Sequence, residues 1–356
     1  MSVLNVNRVA DASGGVLAPI SSVMRNRIIN GAMVIDQRNA GASVNPTDGQ
    51  YTLDRWAAFR SQASKYTVQQ NAGSVTPPVG FKNYLGVTSS SAYSVTSSDY
   101  FLLAQYIEGL NCTDLGWGTA NAKTVTLSFQ VYSSLTGTFG GALQNAAQNR
   151  SYPFTYTISA ENTWTTASVT IAGDTSGTWL TTNGAGISVF FGLGMGSTYS
   201  GTAGAWAGSN FYSATGATSV VGTNGATFYI TGVQLEVGTQ ATSFEYRQYQ
   251  QELALCYRYY QQLGALGWIT AVAYSTNRVL FGIPTLAPMR ATPTISSSAT
   301  AGIYFSAGTA QTSTVTNYAG QSANGTIIQC DFTVSAANQS VGVMAISAGV
   351  QISAEL

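Results

Sequence analysis

The sequence predicts an all-β protein: a jelly-roll sandwich, one short connecting helix and a second, smaller C-terminal β domain. Three observations point there. Apolar and polar residues alternate along several runs, turn-forming clusters separate those runs, and only 8% of the 356 residues are charged. An ordinary soluble domain carries roughly 25%. Alternation with period 2 marks a strand that turns one face to a core. A surface so poor in charge has to be covered by Ser, Thr, Asn, Gln and Gly, which suits a β fold outside the cytosol.

The elements follow in order. Residues 1–24 hold little that can form a core, and Gly14, Gly15 and Pro19 interrupt any regular element; they read as an N-terminal arm. From 25 to 246 the alternation is clear. Val125, Leu127, Phe129 and Val131 face one way, and Thr126, Ser128, Gln130 and Tyr132 the other. Ile187, Val189, Phe191, Leu193 and Met195 repeat the pattern, as do Phe154, Tyr156 and Ile158. Thr182-Asn183-Gly184 and Thr223-Asn224-Gly225 supply turns. In the closing strand the phase slips from Phe228 and Ile230 to Val233, Leu235 and Val237, with Gly232 at the slip, which predicts a β-bulge.

Glu245 to Leu263 carries the helical signal, and 247–263 is its connecting segment. Tyr249, Leu253, Cys256, Tyr260 and Leu263 recur at alternating spacings of four and three, an a/d stripe. The stripe serves either to pack a connector on the sandwich or to bring copies together on an axis. Gly264 and Gly267 end it, and strands resume over 264–356, punctuated by Pro284, Pro288 and Pro293.

Composition excludes several functions. Fourteen basic and fourteen acidic residues balance, and only three of the basic ones are Lys. Nucleic-acid binding, which rests on neutralising phosphates, is not expected. No apolar run approaches about 18 residues, so no membrane insertion is expected. Met1 to Arg8 has no basic region followed by an apolar core, so no secretory signal is expected. Cys112, Cys256 and Cys330 are odd in number and widely spaced, which is neither a disulfide framework nor a zinc pattern.

There is no histidine. That removes the usual activating base of Ser and Cys nucleophiles and the commonest metal ligand. Gly192-Leu193-Gly194-Met195-Gly196 lacks the spacing of a phosphate loop and sits in a strand-like run. Glycoside hydrolysis needs a pair of carboxylates; Asp48, Asp54, Asp99, Glu108, Asp114 and Glu161 show no telling spacing. No catalytic residues are assigned. Twenty Tyr and six Trp are the richer signal, because aromatic faces stack on the C–H faces of sugar rings and loop aromatics are often binding residues. Trp117, Trp206, Tyr199 and Tyr212 sit in glycine-rich, loop-like contexts and are the ligand-binding candidates. The alternative for Trp117 and Trp206 is that they plug the ends of the core. Trp56, Trp164 and Trp179 read as core, and Trp268 as a contact past the helix.

The run from Phe228 to Tyr260, with Ile28 to Arg38 and Leu53-Asp54-Arg55-Trp56, resembles the lectin-like sandwich of bacteriophage tail-fibre and related virion adhesion proteins. Leu286 to Thr294 and Ile352 to Leu356 resemble a second domain that often follows it. The resemblance makes Ile28 to Arg38 an opening strand and places the chain in the virion. It implies a homotrimer meeting at the Tyr249–Leu263 stripe, attachment to tail or baseplate proteins through the arm, and recognition of a host-surface glycan or outer-membrane receptor. The alternatives are a head fibre, decoration or adaptor protein, and a polysaccharide depolymerase. No cofactor is expected beyond a structural calcium, which the resemblance would place at Glu236 and Asp36; otherwise Glu236 pairs with Arg38 or Arg55, or faces water.

Overall fold

In a computed structural model, residues 24–264, 285–296 and 350–356 are described with their side chains. Beyond them only the backbone of strands between Val9 and Ala18 and between Leu266 and Ile346 is described. The chain divides into two compact units, Met1–Gln248 and Tyr249–Leu356.

The first unit is a jelly-roll sandwich of two antiparallel sheets. Its strands are β1 (Gln50–Leu53), β2 (Trp56–Arg60), β3 (Tyr66–Gln70), β4 (Leu85–Ser89), β5 (Tyr100–Glu108) and β6 (Val125–Ser133). They continue with β7 (Gly137–Gln144), β8 (Ser151–Ile158), β9 (Thr165–Ile171), β10 (Ala185–Met195) and β11 (Thr227–Val237). The front sheet has the order β8-β7-β10-β5-β2-β1 and the back sheet β9-β6-β11-β4-β3. The inward halves of the alternating runs form one core in which Trp56, Phe101, Phe129, Phe139, Phe191 and Phe228 are buried. Phe191 lies at its centre, 5.0 Å from the Phe129 ring and 6.2 Å from Trp56.

Two bulges set which side chains face outward. The register of β11 against β6 shifts between Thr231 and Gln234, where Gly232 takes φ +62°, at the predicted slip. The second bulge was not anticipated. β10 shifts between Gly192 and Gly194 against β5, so Met195 leaves the inward series of Ile187 to Leu193 and packs on the outer face instead.

The expected opening strand at Ile28 to Arg38 is not formed. These residues are turns and extended chain, with Asn30 at φ +58° and Met33 at φ +57°. Left-handed residues break a ladder, so side chains take over its role. The Asn30 amide donates to the Ile35 and Asp54 carbonyls and accepts the Ile35 N–H, and Gln105 exchanges two bonds with Ile29. Ile28, Met33 and Ile35 are buried all the same. The segment is a plug rather than a strand.

In the N-terminal stretch Val9–Ala10 and Val16–Ala18 pair as two short antiparallel strands; the rest of the proposed arm up to residue 23 lies outside the described residues.

In the second unit the helix α1 spans only Tyr249–Tyr257, and Tyr260–Leu263 is a strand, β12, rather than the helix's last turn. β12 pairs with Val350–Ser353, which also pairs with Thr294–Ser297. The expected stripe is therefore divided. Tyr249 is 58% exposed, but Cys256, Tyr260 and Leu263 are buried inside this unit, and Leu253 is half-buried. Sheet pairing with a strand ninety residues away, invisible to local periodicity, overrides the a/d pattern. The remaining strands of this unit form a seven-stranded sheet between Leu266 and Ile346. Trp268 and Cys330 fall on strands whose side chains lie outside the described residues.

Phe191→Ala should remove about 3–5 kcal/mol of stability from the sandwich, the usual cost of an aromatic deleted from a packed core, read as a lower denaturant midpoint. A loss below about 1 kcal/mol would contradict this placement of the core.

Candidate functional site

The outward face of the front sheet is apolar too. Ala57, Ala104, Phe190 and Ala142 stand in one cross-strand row, and Phe59 and Leu102 pair in the next. Tyr106, Ser188 and Gln144 form the row on the other side. Four strands at 4.7–4.9 Å spacing make this floor about 14 Å across. From these four strands Phe59, Leu102, Tyr106, Ser188, Phe190 and Gln144 line the base of a groove of about 370 Å³, walled by Tyr100, Tyr199 and Tyr212.

Residues 196–217 build that wall. Ser200–Gly201 and Ser213–Ala214 pair in parallel, folding the segment over the sheet. It lies close because the floor beneath it lacks side chains. A Cβ on Gly140 would come within 2.5 Å of the Ser213 hydroxyl, and one on Gly192 within 2.8 Å. Trp206 anchors the middle of the segment. Its indole N–H donates to the Ala172 carbonyl at 2.7 Å, and its ring packs edge-on against Trp117, Trp179 and Tyr152. With both ends and the middle held, Tyr199 and Tyr212 stack at 5.1 Å and 16°, each edge-on to Tyr100. Phe190 meets Tyr212 edge-on at 5.1 Å.

Polar groups rim the aromatic surface. Asp48 accepts the Arg60 N–H on Oδ1 at 2.9 Å and the Tyr100 hydroxyl on Oδ2 at 3.1 Å. Gln144 donates to Asn210 Oδ1, whose amide donates in turn to Gln148 and to the Tyr212 hydroxyl. Burial, and then the Asp48 carboxylate, push the Tyr100 phenol up to about 12. Burial raises Tyr106 and Tyr212 as well. These hydroxyls are neutral donors throughout the physiological range. At the head of β5, Asp99 holds the wall's base. It accepts from Ser61, Tyr93 and the Thr96 hydroxyl and N–H, while its own carbonyl receives the Gly196 N–H. Burial alone would raise its carboxyl, but those hydrogen bonds prevail and lower it to about 2.

Of the four sequence candidates, Tyr199 and Tyr212 come together in the groove; Trp117 and Trp206 do not join them. Trp117 is 7% exposed, its N–H given to the Lys123 carbonyl, and with Trp179 and Trp206 it closes one end of the core. Glycine-rich flanks had suggested exposed loops for both tryptophans; here those flanks let the chain fold back over the rings. Glu236 pairs with neither Arg38 nor Arg55. Its oxygens accept from Thr242 and Gln234, with Arg25 at 3.9 Å. Asp36 accepts the Asn39 and Gly41 N–H groups in a local turn. Among the described residues no three carboxylate, Cys or His side chains gather to hold a metal. Sequence reasoning missed Tyr100, Tyr106, Phe59, Phe190, Asn210 and the groove role of Asp48. A signal existed: apart from Gln105, Tyr100 to Ile107 is apolar or aromatic in both phases of the alternation, as in a strand covered on both faces.

No protein-family model and no curated protein matches the sequence. Solved structures align with about 60% of the chain. A putative sugar binding protein from Bacteroides thetaiotaomicron is 14% identical over 60% of this chain and 100% of that one, with a TM-score of 0.34. A family 11 carbohydrate-binding module of a Clostridium thermocellum cellulase is 13% identical over 57% and 99%, at 0.28. The enzymatically active domain of tailspike protein 4 of bacteriophage CBA120 is 12% identical over 60% of this chain, at 0.32; the match spans only 22% of that chain. Likenesses this slight carry no substrate or activity across.

With three lysines in the chain, alkaline titration is governed by tyrosine. Tyr100 ionises near 10 when unfolded and at about 12 when folded, so its contribution is complete below the first value and lost as pH rises towards the second. Denaturant midpoints should hold level to about pH 9.5 and fall above about pH 10, in step with tyrosinate absorbance. A level midpoint through about pH 12 would contradict the buried phenols.

Proposed function

We propose that this chain is a non-enzymatic virion protein of a tailed bacteriophage, a tail fibre whose sandwich holds a host-surface glycan in the front-sheet groove. The observation that carries the binding reading is the groove itself. An apolar floor is walled by three tyrosines and rimmed by amides, hydroxyls and one carboxylate. Such a surface matches a sugar ring, with C–H faces against aromatic faces and hydroxyls against amide edges. Its breadth, about 14 Å across four strands, suits an oligosaccharide stretch rather than a single ring. Hydrolysis uses two carboxylates across the scissile bond; among the described lining residues Asp48 is the one carboxylate, which favours holding over cutting.

The virion setting is supported by the resemblance of Phe228 to Tyr260 and its companion stretches to phage adhesion proteins. The N-terminal arm would then join tail or baseplate proteins. A homotrimer would multiply weak single-site binding by roughly 10²–10⁴ through effective concentration. Its axis has to use surfaces other than the Cys256–Leu263 half of the stripe, which is internal. One observation favours contact with another virion protein as a second reading. Val79 is fully exposed and Tyr246 60% exposed beside Phe81 and Phe244, whose rings cluster at 5.0–5.6 Å.

Titration calorimetry against surface polysaccharide from strains to which the particle adsorbs tests the main reading. Tyr199→Ala and Tyr212→Ala should each weaken binding about tenfold, equivalent to about 1.4 kcal/mol, and keep a cooperative melt. Unchanged affinity in both variants would remove the groove from the binding surface.

A further inference from the structure

We infer that the groove is a charge-discriminating site: it takes an uncharged stretch of glycan and rejects one bearing uronate, sialate, sulfate or phosphate, with Asp48 as the specificity-determining residue. The inference rests on the glycan reading above and adds the class of sugar.

The reason lies in what the groove offers and withholds. Its described lining includes Asp48, Gln144, Asn145, Gln148, Ser188 and Asn210 as polar residues, and no Lys or Arg. The chain has no His at all. The nearest basic side chain in the Asp48 turn, Arg60, is turned away: its Nε donates to the Pro46 carbonyl, and only its backbone N–H reaches Asp48. Asp48 is itself solvent-exposed and held in place from two sides, by that N–H and by the Tyr100 hydroxyl. An anionic sugar entering the groove would lose hydration, find no counter-charge and meet a fixed carboxylate of its own sign. A neutral hexose or N-acetylhexosamine meets only amides, hydroxyls and ring faces.

The segment 175–235 extends the argument, because it contains no charged residue of either sign. It supplies the whole 196–217 wall as well as Ser188 and Phe190 of the floor. That segment therefore offers an entering anion no cation; Arg150, whose neighbour Ser151 pairs with Ala207, has its guanidinium held by Asp174 at 2.7 Å. Asp48 is the one charged residue of the described lining.

The test is an array of bacterial surface glycans, neutral and acidic, probed with the full chain and with Asp48→Asn at low and high salt. The wild type is expected to bind neutral glycans and to bind carboxylate- or phosphate-bearing counterparts of the same backbone at least tenfold more weakly. That gap should narrow in Asp48→Asn, and narrow in the wild type as salt screens the carboxylate. A merely structural Asp48 would leave the salt dependence of the gap where it was. Equal or tighter binding of acidic glycans overturns the inference while leaving the glycan reading intact. A gap that persists unchanged in Asp48→Asn overturns the role of Asp48. Failure to bind any glycan removes both the inference and the reading beneath it.

Discussion

A sheet that is apolar on both faces has to be covered twice, and that constraint organises the sandwich unit. The inward face of the front sheet is covered by the back sheet through Trp56, Phe129 and Phe191. The outward face, with Leu102, Ala104, Ala142 and Phe190, is too apolar to stand bare. Residues 196–217 cover part of it, lying against Gly140 and Gly192 and pinned at Trp206. The groove opens beside that cover. Groove wall and structural cover are thus one construction: the segment that shields the sheet also presents Tyr199 and Tyr212.

The tryptophan cluster and the groove divide the aromatic content by task. Trp117, Trp179 and Trp206 each give their indole N–H to a backbone carbonyl and pack on one another at 4.7–5.4 Å. They fix the segment's position. Tyr100 and Tyr212 keep their hydroxyls at the rim, both phenols held neutral by burial, the first donating to Asp48 and the second accepting from Asn210. Asp48 is the lone charged residue of the described lining, which otherwise offers ring faces, amides and hydroxyls.

Much of the sandwich was legible in the sequence, because its inward strands alternate with period 2 and Gly232 marked its own bulge. What was hidden depended on long-range pairing. The Gly192–Gly194 bulge, which turns Met195 outward, is set by β5. Ile28 to Ile35 has the composition of a strand, yet the backbone N–H groups of Ile29 and Ile35 go to the buried side chains of Gln105 and Asn30, which local pattern cannot pair. Tyr260 and Leu263 continue a helical stripe in sequence but join a sheet with Val350–Ser353. Of the four loop aromatics singled out by composition, Tyr199 and Tyr212 line the groove, while Trp117 and Trp206 pack at one end of the core. Glycine beside an aromatic residue signals close approach as readily as exposure. The strand residues of the floor were missed because a doubly covered strand reads as core.

The central claim is that ligand meets the outer face of the front sheet and not the tryptophan-closed end of the core. Backbone hydrogen exchange, with and without a glycan bound by the full chain, tests it most directly. The account predicts added protection in residues 100–106, 144–148 and 196–217, with residues 112–123 and 176–181 unchanged. Protection concentrated around Trp117 and Trp179, or confined to 249–356, would contradict it.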